Sequence, residues 1–108
     1  MNCVINFSHP LTEYQYKDLS EQLGHFTEVY KPVQFDMVTG NLRREVETLL
    51  NDTVQDISEI VAIIPPKLSV AAYWMALEME ALGWHNVPAV YFIHDSSVPP
   101  QFVVGGVE

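Results

Sequence analysis

The chain has 108 residues, 48% of them hydrophobic, enough for a single domain over 1–108 built around one core. Fourteen acidic residues against five Lys and Arg give a net charge of −9, which excludes the long basic groove that duplex DNA or long RNA requires. A compact anion needs only one or two cations plus backbone and hydroxyl donors, and the same count leaves it open.

The N-terminus lacks a charged leader followed by an apolar core, so no secretory signal is expected. No apolar run approaches the roughly 20 residues of a membrane span. The lone cysteine, Cys3, cannot form an intrachain disulfide and reads as a small buried hydrophobe. These features predict a cytoplasmic setting with no membrane partner.

In chain order, the apolar run Cys3-Val4-Ile5 predicts a first strand, and Asn6-Phe7-Ser8-His9-Pro10-Leu11-Thr12 turns it into a helix. Thr12 with Gln15 makes a capping box. Tyr16, Leu19 and Leu23 give the first helix its apolar face, and Gly24 ends it. His25 to Tyr30 alternates as a second strand, and Pro32 to Asp36 reads as a loop or strand end. Leu42, Val46, Leu49, Val54 and Ile57 outline a second helix, with a break expected near Asn51-Asp52. The continuous run Ile60 to Ile64 is a strand covered on both faces, stopped by Pro65-Pro66. A third helix runs from Leu68 or Ser69 to Leu82, closed by Gly83. Val87 to Ile93 and Gln101 to Val104 are the last two strands.

The order βαβαβαββ predicts a three-layer α/β domain with a mainly parallel sheet. Right-handed crossovers place strand one between strands two and three. The last connection is too short for a crossover helix, so the last strand should pair antiparallel at an edge. The loops after strands one and three then open on one crevice, where sheets of this kind bind ligands.

The first loop brings Asn6, Ser8, His9 and Thr12 to that crevice; the second brings Lys67 and Ser69. Both loops lead into helix N-termini, whose free N–H groups favour a phosphate. Lys67 is the only cation after Arg44, although a solvated surface lysine accounts for it equally well. Ser69 is expected to cap its helix, a role compatible with a phosphate contact. Gln34 and Asp36, after strand two, can reach the same crevice, with loop capping the simpler account of the pair. Histidine is the side chain most often used as a general acid or base, which makes His9 the candidate catalytic residue, but no base partner or orienting carboxylate stands beside it in the sequence. His25, His85 and His94 lack metal-ligand spacing, so no metal is assigned.

The stretches Asn6-Phe7-Ser8-His9-Pro10-Leu11-Thr12, Pro32-Val33-Gln34-Phe35-Asp36 and Pro65-Pro66 before the Ala71-Ala72 helix resemble a small CRISPR-associated family. It is one of the Csx-type families of type III systems, grouped with the ring nucleases. The resemblance runs over roughly residues 3 to 95 and is most specific in the first stretch. It implies a Rossmann-like (CARF-like) domain that binds cyclic oligoadenylate, in particular cyclic tetra-adenylate, with no further cofactor. Binding would sequester this second messenger and quiet the effectors it activates. Some neighbouring families cleave the ring without metal through the ribose 2′-hydroxyl. The residues here suit binding better than cleavage, so the enzyme question stays open and leans to no. A regulatory domain for another nucleotide and a purely structural protein are the alternatives.

The third helix carries two apolar stripes. Leu68, Ala72, Met75, Met79 and Leu82 are expected to face the sheet, while Val70, Trp74, Leu77, Ala81 and Trp84 fall nearly opposite. Two exposed tryptophans on one face would be unusual for a monomer. A homodimer or larger assembly through Val70, Trp74, Leu77 and Trp84 is therefore expected, with two crevices sharing one ring.

Overall fold

Cys3-Val4-Ile5-Asn6 forms the central strand β1 (Cys3–Asn6), and all four residues are buried. The computed structural model describes residues 2–32, 41–53, 59–84, 86–95 and 101–108. On one side β1 pairs in parallel with β2 (Thr27–Tyr30), and on the other with β3 (Ile60–Ile64). The strand order β2-β1-β3 is the expected one. The second strand begins at Thr27 rather than His25, because it pairs only as far as β1 extends opposite it.

Three helices follow the periodicity of the sequence: α1 (Glu13–Leu23), α2 (Leu42–Asp52) and α3 (Ser69–Ala81). Alternation along the central strands separates two cores. Cys3 and Ile5 pack with Val46 and Leu50 of α2 and with Ala71, Met75 and Met79 of α3. Val4, Ala62 and Ile64 pack on the other face with Leu19 of α1. The pairing of β1 with β3 shifts between Cys3 and Val4, so Ile60 lies on the same face as Ile63. Burial pushes the Cys3 thiol up from its ordinary pKa, and the nearby Glu59 adds to the rise. Helix α2 ends at Asp52, with Thr53 as its C-cap donating its hydroxyl to the Leu49 carbonyl at 2.6 Å. Val54 and Ile57 lie outside the described residues.

The last two strands, β4 (Val90–Asp95) and β5 (Gln101–Val107), form an antiparallel pair, as a short connection requires. The pair meets the parallel sheet at a single bridge between Ile63 and Ala89, where Ile63 N–H donates to the Pro88 carbonyl at 2.9 Å. Beyond Ala89 the described residues of β4 pair with β5 alone. Val90 and Val104 fold onto the α1 face of the sheet. Thus the described residues of β4 leave, after one bridge, the mainly parallel sheet that the order of elements predicts.

Strand β5 also runs three residues longer than Val104. The residue skipped in its register is Gly105. A Cβ on Gly105 would overlap the Tyr91 ring, and one on Gly106 would stand 2.9 Å from the Tyr91 oxygen. The two glycines let Tyr91 lie against the strand backbone.

Helix α3 closes with a Schellman motif. Gly83 adopts φ 85°, Trp84 N–H donates to the Met79 carbonyl at 2.8 Å, and Gly83 N–H donates to the Glu80 carbonyl at 3.1 Å. The motif folds Trp84 back onto the α2–α3 core instead of continuing the outer helix face. Trp74 is also half-buried against that core, with the Arg43 guanidinium of α2 4.5 Å from its ring centre. The exposed face of α3 is therefore Val70, Tyr73 and Leu77, without the two tryptophans. On the inner side, Ala71, Met75 and Met79 form the buried stripe, while Leu68 and Leu82 at its ends are exposed.

No helix among the described residues is long and apolar enough to cross a membrane.

Candidate functional site

The β1–α1 corner is built by a fully buried amide. Asn6 donates from Nδ2 to the His9 carbonyl at 2.6 Å and to Glu28 Oε2 at 2.7 Å, while its Oδ1 accepts from Ser8 N–H at 2.9 Å. Glu28 Oε2 also accepts from Leu11 N–H at 3.2 Å, so the carboxylate of β2 and the amide of β1 together fix the loop. An apolar residue at position 6 would strand these partners, and a buried polar group without a partner is costly. Asn6 thus shapes the corner rather than presenting a free group to a ligand.

The Thr12–Gln15 capping box forms as its spacing requires. Gln15 N–H donates to Thr12 Oγ1 at 3.1 Å, and Thr12 N–H donates to Gln15 Oε1 at 3.0 Å. The same Gln15 side chain donates from Nε2 to the Phe102 carbonyl of β5 at 2.9 Å, which ties the corner to the hairpin.

The β3–α3 corner is less closed. Leu68, not Ser69, is the N-cap residue, and the helix start has no side-chain cap hydrogen bond. Ser69 is the first helical residue and is exposed, as is Lys67. A leucine has no acceptor to offer, so the first-turn N–H groups of α3 lack the partner that Thr12 gives α1.

Because β4 turns away from β3 after the single bridge, a cleft of about 530 Å³ opens at the carboxyl ends of β1 and β3. Ser8, His9, Thr12 and Lys67 line it, so these four expected residues do come together. Asn6 sits beneath the corner and Ser69 lies just beyond Lys67; neither lines the cleft. Gln34 and Asp36 lie outside the described residues. Gln15, Tyr91, Phe92 and Phe102 line the same cleft and are not among the site candidates that the sequence offers. For Gln15 the signal was the capping box itself. The aromatic residues come from a hairpin whose position depends on the divergence of β4, which no local pattern announces.

Within the described residues the His9 imidazole has no hydrogen-bond partner and is exposed, so no acid–base pair stands ready at the cleft. The corner carboxylate Glu28 is engaged by Asn6 and Leu11. No group of three His, Cys, Asp or Glu side chains among the described residues is placed to hold a metal ion.

Comparison of the chain with protein-family models, with curated proteins and with solved structures returned no match.

Proposed function

We propose that the protein binds cyclic oligoadenylate, with cyclic tetra-adenylate the first ligand to test, and lowers its free concentration by holding it intact. The observation that carries this reading is the cleft at the ends of β1 and β3, where Lys67 and the hydroxyls of Ser8 and Thr12 stand beside aromatic side chains. Its volume of about 530 Å³ lies in the ordinary range for small-molecule sites, roughly 300–1,000 Å³. The uncapped start of α3, two residues beyond Lys67, adds N–H donors suited to a phosphate. With a net charge of −9 the chain as a whole repels anions, so affinity must come from these local donors.

The order β2-β1-β3, with its ligand cleft at the carboxyl ends, supports a Rossmann-like, CARF-like domain. The resemblance of the corner sequence to a Csx-type family of type III CRISPR systems supplies the ligand class. It also supplies the setting, antiviral defence in the cytoplasm. That His9 has no hydrogen-bond partner among the described residues favours holding the ring over cutting it. Self-association through the exposed α3 face, Val70, Tyr73 and Leu77, completes the proposal, because a two-fold axis can present two clefts to one symmetric ring.

Calorimetry with cyclic tetra-adenylate, its linear counterpart and rings of other sizes tests the reading, followed by mass spectrometry of the recovered ligand. Micromolar or tighter binding of a ring, recovered intact, is expected. Equal affinity for linear adenylates would point to a regulatory domain for another nucleotide. Linear products with cyclic-phosphate ends, abolished by His9→Ala, would establish a ring nuclease instead.

A further inference from the structure

Phe7 and Phe26 are buried and Phe92 is half-buried, whereas Phe102 is 56% exposed on the wall of the cleft. Burial does not hold it there. The His94 ring meets it edge-on, with centroids 5.5 Å apart and planes at 75°. Its own carbonyl accepts from Gln15 Nε2 at 2.9 Å, and Gln15 is locked in turn by the capping box with Thr12. The position of Phe102 is thereby set relative to Thr12, which lines the same cleft.

The lining of the cleft combines two kinds of chemistry. Ser8, Thr12 and Lys67 offer hydroxyls and a cation; Phe102 and Phe92 offer aromatic side chains, while the Tyr91 ring lies against Gly105 and Gly106. A bare anion would gain nothing from Phe102, and an apolar ligand nothing from Lys67. A planar heterocycle joined to a phosphate uses both. Phenylalanine has no polar tip, so it takes the face of a base and leaves base identity to other contacts.

We infer that Phe102, braced by Gln15, is the base-stacking wall of the cleft, with the phosphate of the same nucleotide unit on the Lys67 side. This assignment rests on the reading of the cleft as a nucleotide site. It adds a residue and a division of labour that the loop motifs do not contain. Phe102 acts by direct contact, and Gln15 is a positioning residue.

The test follows the Phe102 ring protons of the full chain by NMR while adenosine 5′-monophosphate or ribose 5-phosphate is added. Calorimetry with cyclic tetra-adenylate on wild type, Phe102→Ala and Phe102→Tyr accompanies it. Because Phe102 is exposed, both variants should fold, which circular dichroism checks. Upfield ring-current shifts with the nucleotide and not with the sugar phosphate are expected. So is a roughly tenfold loss of affinity in Phe102→Ala, the ordinary scale for removing one stacking ring, with Phe102→Tyr close to wild type. If the cyclic ligand binds wild type and Phe102→Ala equally, the stacking wall falls while the messenger reading stands. If the monophosphate shifts Phe102 but the cyclic ligand binds no better than the monophosphate, the wall stands and the messenger reading falls. Phe102 signals left unmoved by adenosine 5′-monophosphate would overturn the assignment.

Discussion

The two strand-to-helix corners occupy equivalent places at the ends of neighbouring parallel strands, yet they use their polar groups in opposite ways. At β1–α1 the amide of Asn6, the carboxylate of Glu28 and the capping box of Thr12 and Gln15 satisfy the backbone from within. At β3–α3 the N-cap residue Leu68 makes no side-chain cap hydrogen bond, and Lys67 and Ser69 are exposed. The first corner is the more polar in sequence but has less left to give a ligand. Chemistry is available where folding has not already consumed it.

Changes to Asn6 and Glu28 should therefore act on stability, and changes to Lys67 and the start of α3 on binding. The largest expected effect is Asn6→Ala. It removes three hydrogen bonds at a fully buried position and should cost about 2–4 kcal/mol in urea denaturation. A cost below about 1 kcal/mol would show that the loop re-forms its hydrogen bonds without the amide. Lys67→Ala comes next. It should weaken cyclic tetra-adenylate binding by about tenfold and flatten its salt dependence, with stability unchanged within about 0.5 kcal/mol. Unaltered affinity and salt slope in calorimetry would remove Lys67 from the site.

Leu68→Asp sharpens the contrast, because it gives α3 the cap acceptor that α1 already has. The variant should gain about 0.5–1 kcal/mol of stability, since Leu68 is exposed and the new carboxylate can accept first-turn N–H groups. It should also bind the ligand more weakly, because those donors are then occupied and a negative charge adjoins Lys67. Tighter binding would contradict the proposed use of this helix start. The smallest effect belongs to Ser69→Ala, expected to change thermal stability by less than about 0.5 kcal/mol because its hydroxyl makes no cap bond. Away from the corners, the proposed self-association predicts a wild type larger than a monomer in light scattering and a Leu77→Glu variant shifted toward monomer.

The sequence by itself determined the helices, the parallel order around β1 and the capped start of α1. Each of these follows from periodicity, from connection length or from a pair of residues three apart. It also identified Ser8, His9, Thr12 and Lys67 as neighbours, because handed crossovers bring the ends of β1 and β3 together. Tertiary structure alone decided the rest. Glu28 reaches the Asn6 corner only through the register of β2 on β1, a long-range pairing that a residue within β2 does not disclose. Trp74 and Trp84 share a helical stripe with Val70 and Leu77 on paper. In the fold, Arg43 from α2 stands over the first and the Schellman turn carries the second back to the core. The aromatic wall at Phe102 depends on β4 leaving the sheet after one bridge and on Gly105 and Gly106 yielding to the Tyr91 ring. Local pattern fixes which face of an element is apolar; which neighbour covers that face depends on contacts between residues far apart in the chain.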